Sequence, residues 1–216
     1  KDVKYLANKK PIIFSIKKLF DRKKSSKYLF IHIPKTGGTS FKFNVIYNPR
    51  LKKEIEIYHN ITYPPRELRL LNIFKEKRKM FTLLRDPTDT IISAYYHFKH
   101  LVKIKNFVFF DQVSNMQTKF LLGYDIFSDY KIKTNEFDDL IKLIDDKKLI
   151  VGIQKRKSMI KIYNLLELRF DEVDNYILNK KVGISYKKKD VSDNLREYIK
   201  KNNNFDYKLF DYVMKS

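Results

Sequence analysis

Lys35 is followed by a glycine pair, Gly37 and Gly38, and then by two hydroxyl residues, Thr39 and Ser40. That order can hold an anion. Glycines let the backbone turn sharply and approach a ligand with no Cβ in the way. If a helix begins near Thr39 and Ser40, unpaired N–H groups from Thr36 onward point into the loop, and phosphate is the common anion at such a place. Lys35 brings a full positive charge to the same point. A second candidate anion site is Arg85-Asp86-Pro87, with Ser93 about two helical turns further on. A guanidinium grips a phosphate through two parallel hydrogen bonds, and a hydroxyl completes the cradle. The same tripeptide also reads as a helix-capping turn with a surface arginine, and the loop upstream favours the first reading. Two anion sites together suit a nucleotide with phosphates at both ends.

Those residues need a scaffold that brings them to one edge. Tyr28 to Ile33 is a strand-type run closed by Pro34, and Phe41 to Tyr47 can be helical until Asn48-Pro49 stops it. Glu54 to His59 alternates, which puts Ile55, Ile57 and His59 on one face of a short strand. An amphipathic helix is predicted over 66–79, an apolar strand over 80–84, and a long helix from Pro87 to about Lys103. Further helices are expected over 111–122, 136–146, 156–168, 191–201 and 207–214, with another apolar strand over 149–153. Apolar strands alternating with helices predict an α/β fold, a mainly parallel sheet flanked by helices on both faces. Ligands of such sheets gather beyond the carboxyl ends of the strands. Three strands would deliver Lys35, His59 and Arg85 there. Residues 1–27 read as a basic N-terminal segment, a short amphipathic helix packed on the domain or docked on a membrane or partner. Residues 28–216 read as a single domain, with no internal repeat and no dividing linker.

The chain is a basic protein, with 46 Lys and Arg against 25 Asp and Glu and a formal charge of +21. Such a field favours anionic partners in general. Lysine, isoleucine, asparagine and tyrosine are all abundant, so much of the charge can equally be solvated surface, and basicity selects no partner. No apolar run approaches the length of a membrane span. The sequence starts at Lys1, so membrane proximity through an upstream anchor stays open. With no cysteine there is no disulfide and no thiolate metal site, which leans toward a reducing, cytoplasmic setting over the Golgi lumen.

The loop departs from the Walker pattern of nucleoside triphosphatases, because its lysine precedes the glycines and no Gly-Lys-Ser/Thr occurs. After the two later apolar strands come Arg85 and, within the second, Gly152, where a carboxylate would be needed to hold Mg²⁺. No metal site is expected.

His32-Ile-Pro-Lys-Thr-Gly-Gly-Thr-Ser40 resembles the 5′-phosphosulfate loop of the carbohydrate sulfotransferases related to heparan sulfate 2-O-sulfotransferase. Arg85-Asp-Pro with Ser93-Ala-Tyr-Tyr-His97 resembles that family's 3′-phosphate motif. Asn115 to Leu121, Val151-Gly-Ile-Gln154 and Phe205 to Tyr212 resemble later landmarks in the same order, so the likeness covers about residues 28 to 214. It implies a P-loop-like sulfotransferase fold. The implied donor is 3′-phosphoadenosine 5′-phosphosulfate (PAPS), and the implied reaction is sulfuryl transfer to a glycan or other hydroxyl acceptor, without metal. Backbone N–H groups of Thr36, Gly37, Gly38, Thr39 and Ser40 would hold the phosphosulfate. Lys35 would act on the bridging oxygen, and Arg85 and Ser93 would hold the 3′-phosphate. His59, placed where the family has a base after its second strand, would take the acceptor's proton. His32 is expected to be structural, with His97 and His100 solvent-facing or packed.

Three departures bear on this. Thr90 stands where the family often has an arginine. Cysteine is absent, and the sequon Asn60-Ile-Thr62 would put a glycan beside His59. Two other functions compete: a Mg-dependent nucleotide kinase with an atypical phosphate loop, and a non-catalytic polyanion-binding module. No nucleic-acid partner is expected.

Overall fold

In a computed structural model of the chain, the structure describes residues 26–58, 78–98, 106–154, 160, 162–164 and 191–216. Three apolar runs and one alternating run form strands: β1 (Tyr28–Ile31), β3 (Lys79–Leu84) and β4 (Leu149–Ile153) are apolar, and β2 (Ile55–Tyr58) alternates. They lie in the order β2-β1-β3-β4, and each neighbouring pair is parallel. From β1 the chain goes to one side, to β2, then crosses back to β3 on the other side. The switch point of the sheet is therefore the cleft beyond β1 and β3, the place where open α/β sheets bind ligands. Lys35 and Arg85 follow those two strands.

Alternate residues feed opposite faces, as a strand's period of two requires. Leu29, Ile31, Met80 and Leu84 join one core. Tyr28, Phe30, Phe81 and Leu83 join the other. The first core is covered by α3 (Pro87–Phe98), α4 (Asn106–Gln112), α5 (Met116–Leu121), α6 (Thr134–Asp145), α7 (Asp193–Asn202) and α8 (Asn204–Lys215). The second takes Phe41 and Val45 of α1 (Gly38–Tyr47), Leu51 of α2 (Pro49–Glu54), and the buried Ile162 and Tyr163. Phe30, Phe41 and Phe81 meet there with ring centroids 4.4 to 5.4 Å apart. Both faces being covered explains why β1, β3 and β4 are mostly apolar, whereas β2 at the sheet's edge carries Glu56.

The elements differ from the sequence reading at several boundaries. α1 begins at Gly38, so Thr39 and Ser40 lie inside its first turn. Asn48-Pro49 does stop α1, but it also starts α2, a helix that the sequence reading omits. Asn48 accepts N–H bonds from Arg50 and Leu51, and Pro49 occupies the first helical position, where a proline loses no hydrogen bond. The helix expected over 111–122 is two helices. Asn115 takes φ 51 and breaks the run between α4 and α5. The 66–79 helix lies almost wholly outside the described residues, and Lys79 already belongs to β3. Residues 1–25, 99–105 and 185–190 also lie outside them. Among the described residues no helix is long and apolar enough to cross a membrane.

Candidate functional site

Beyond Ile33 the chain turns through Pro34 to Gly37 and enters α1. The turn depends on two left-handed residues, Lys35 at φ 66 and Gly37 at φ 87. For glycine this conformation is free, and for lysine it costs about 1 kcal/mol. Thr36 is fully buried, and its hydroxyl donates to the Ile33 carbonyl at 2.9 Å. Its side chain therefore builds the turn and leaves only the backbone N–H for a ligand. The first N–H groups of α1 have no intrahelical acceptor and open on the same side as the loop.

Neither glycine has room for a side chain. A Cβ on Gly37 would stand 2.1 Å from Gln154 Nε2, and one on Gly38 would stand 2.1 Å from Cδ2 of His32. The two cases are not equal. Gln154 is exposed and can swing away, whereas His32 is buried and stacked on Phe30 at 5.9 Å. We expect Gly38→Ala to lose about 1–3 kcal/mol of stability by overpacking, read as a urea-midpoint shift. His32→Ala in the same chain should recover part of it. No recovery would mean that the clash is relieved elsewhere. His32 is thus structural, as the sequence implies.

Arg85 is held by its backbone. Its N–H donates to Gln117 Oε1 at 3.0 Å, and Gln117 Nε2 donates to its carbonyl at 2.9 Å. Asp86 then starts α3: its carboxylate accepts from the Asp89 N–H at 2.9 Å, and Pro87 takes the first helical position. The helix-capping reading of Arg-Asp-Pro is therefore seen directly. Asp86 and Pro87 cap a helix, and this fixes where the Arg85 side chain leaves the chain. The guanidinium turns back to the loop, donating from Nη1 to the Lys35 carbonyl at 3.4 Å, with Nη2 3.8 Å from Asp89 Oδ2. Burial, with the Arg85 charge as a second cause, lowers the pKa of Lys35 from its ordinary value. Two cations held this close favour an anion between them.

Gln117 is itself anchored. The carboxylate of Asp206, in the first turn of α8, accepts from the Gln117 N–H at 3.1 Å, the Thr118 N–H at 2.8 Å and the Thr118 hydroxyl at 2.7 Å. Asn115 returns the favour, its Oδ1 accepting from the Phe205 and Asp206 N–H groups. Each helix start thus caps the other. Burial pushes the Asp206 carboxyl above its usual range, against the pull of the Thr118 and Gln117 donors and the Lys119 charge. The Lys119 ammonium donates to the carbonyls of Ser128 at 2.6 Å and Gln112 at 3.1 Å. A further tie joins the Thr88 and Tyr207 hydroxyls at 2.6 Å.

Lys35 and Arg85 are therefore brought together. Thr36 to Ser40 form the turn and helix start beside them, and Ser93 lies on α3 two turns beyond Arg85. His59 follows β2 and lies outside the described residues. Thr90, in the arginine's place, is buried, with its hydroxyl donating to the Asp86 carbonyl at 2.9 Å, so it offers a ligand nothing. Sequence reasoning did not single out Gln117, Gln154 and Asp89. The first two lie within the later landmarks quoted above, which was the available signal.

No protein-family model matches the chain, and no curated protein matches it. Among solved structures it is similar to mouse sulfotransferase SULT7A1 complexed with PAP, with a TM-score of 0.48 and 13% identity over 77% of this chain and 70% of that one. At that level the likeness carries no argument about what this chain does.

Proposed function

We propose that the protein is a sulfotransferase that moves a sulfuryl group from PAPS to a carbohydrate hydroxyl by in-line displacement. One observation carries this reading: Arg85 Nη1 lies 3.4 Å from the Lys35 carbonyl. That contact brings two candidate anion-binding elements together at the switch point of a parallel sheet, which supports a ligand carrying more than one anionic group. The motifs around Lys35 and Arg85 supply the donor's identity by resemblance.

In this reading the N–H groups of residues 36–40 hold the 5′-phosphosulfate, and Arg85 and Ser93 hold the 3′-phosphate. The acceptor oxygen bonds to sulfur as the bridging S–O bond breaks, and the electron pair stays on the departing phosphate. Lys35 meets that charge. The acceptor's proton goes to a base, for which His59 is the candidate. Positioning and preorganised charge are what such a transfer requires.

Ligand-dependent melting tests the donor assignment. Adenosine 3′,5′-bisphosphate in EDTA should raise the melting temperature, the gain at a hundredfold excess over Kd being about 2.7 kcal/mol. ATP with Mg²⁺ should not. Stabilisation by ATP with Mg²⁺ alone would favour a kinase, and stabilisation by neither a passive polyanion module. Radiolabelled PAPS offered with a panel of glycans then identifies the acceptor class.

A further inference from the structure

A parallel sheet has two unlike edges, and the cleft beside Lys35 and Arg85 takes only the carboxyl one. At the amino edge every strand opens on lysine: Lys27 before β1, Lys52 and Lys53 before β2, Lys79 at the start of β3, and Lys147 and Lys148 before β4. All six are exposed. The register sets them close to one line, since Tyr28 pairs with Ile55 and with Lys79, and Met80 with Leu149. With strands about 4.8 Å apart, the row is roughly 15 Å wide. Acidic groups are fewer at this edge among the described residues. Glu56 is paired with Arg78, Glu54 with Arg50 at 3.5 Å, Asp145 accepts from the Tyr212 hydroxyl, and Asp146 ends α6.

Apolar side chains are exposed at the same edge. The bond from Tyr212 to Asp145, just ahead of β4, brings the end of α8 here, and Met214 beyond it is 50% exposed. α1 leaves the cleft and carries the chain back toward the start of β2, as a parallel crossover must. It ends in Ile46 and Tyr47, 41% and 60% exposed. The chain also enters at this edge, where the Lys27 N–H donates to the Glu54 carbonyl at 2.9 Å. The sequence leading to it joins apolar Ile12 and Ile16 to basic Lys17, Lys18, Arg22 and Lys23. We propose that the amino edge of the sheet docks on a bilayer bearing anionic phospholipids. The lysine row lies among the headgroups, and Ile46, Tyr47 and Met214 enter between them, the two contributions an interfacial surface combines. A soluble polyanion would reward the lysines but not the apolar groups. Docked this way, the protein keeps the Lys35–Arg85 cleft at the edge facing away from the membrane. The proposal does not depend on the donor assignment.

Co-sedimentation of the whole chain with vesicles tests this. Wild-type protein should bind phosphatidylcholine vesicles containing roughly one-third phosphatidylserine at about 0.1 M salt, and pure phosphatidylcholine far less. Reversing the row with Lys52→Glu, Lys53→Glu, Lys147→Glu and Lys148→Glu should weaken binding at least about tenfold. A control with the same change of net charge, Lys131→Glu, Lys133→Glu, Lys200→Glu and Lys201→Glu, draws on exposed lysines outside that edge and should bind nearly as wild type. Tyr47→Ser with Met214→Ser, which alters no charge, should weaken vesicle binding but leave retention on dextran sulfate unchanged. Equal losses in the two charge-reversal variants would reduce the effect to overall charge and overturn the proposal. Undiminished binding of the row variant would do so too, by placing the contact elsewhere in the chain. Retention on dextran sulfate with no binding to the mixed vesicles would make the edge a polyanion surface instead.

Discussion

Lys35→Ala should lower sulfuryl transfer by about 10²–10³-fold, the usual effect of removing one preorganised group from developing charge. Binding of adenosine 3′,5′-bisphosphate should weaken far less. The split follows from where the residue sits. Its backbone carbonyl, not its side chain, accepts the Arg85 hydrogen bond, so truncation leaves that contact in place. The backbone N–H groups of the loop survive as well. What disappears is the half-buried ammonium, whose pKa burial and Arg85 together lower. A cation destabilised in the free protein gains most when negative charge grows beside it, as the proposed transfer requires when the bridging oxygen departs. Single-turnover rates with labelled PAPS, set against binding by calorimetry, separate the two effects. Equal losses in rate and binding would make Lys35 an ordinary anion ligand.

The second large effect lies away from the chemistry. Asp206→Ala should destabilise the fold by about 2–4 kcal/mol, because the buried carboxylate is the acceptor for two backbone N–H groups and one hydroxyl. All three would be left buried without that partner. The consequence then travels. The Asp206 carboxylate fixes the start of α5, and Gln117 in that first turn clamps the Arg85 backbone from both sides. Among proteins that remain folded, the variant should therefore also bind adenosine 3′,5′-bisphosphate more weakly. Urea denaturation and calorimetry at low temperature measure the two losses. Full donor affinity in a destabilised Asp206→Ala protein would break the link between the C-terminal helix and the site.

Much of this arrangement was legible in the sequence, for physical reasons. Strands buried on both faces announce themselves as apolar runs, so β1, β3 and β4 and their parallel direction followed from pattern, whereas the order of the strands in the sheet did not. Lys35 and Arg85 were legible because glycines after a strand and an Arg-Asp-Pro before a helix constrain the backbone locally. The break at Asn115 was not legible. An asparagine in a helical pattern gives no sign that its side chain is needed 90 residues away, to accept from Phe205 and Asp206. Gln117 and Gln154 were hidden for the same reason, since a glutamine's role depends on which backbone it meets after folding. The start of α2 was readable in principle from Asn48-Pro49, whose two roles as stop and cap coincide. Thr36 was read only for its backbone N–H, and the structural task of its hydroxyl, bonded to the Ile33 carbonyl, was not legible.

One measurement tests the central claim most directly: calorimetric titration of adenosine 3′,5′-bisphosphate, in EDTA, into wild-type and Arg85→Ala protein. The account predicts saturable one-to-one binding to wild type, and at least tenfold weaker binding to the variant, as expected when a guanidinium–phosphate pair worth about 1.4 kcal/mol or more is lost. Weak, salt-sensitive binding that is the same in both proteins, and matched by any polyanion, would contradict it.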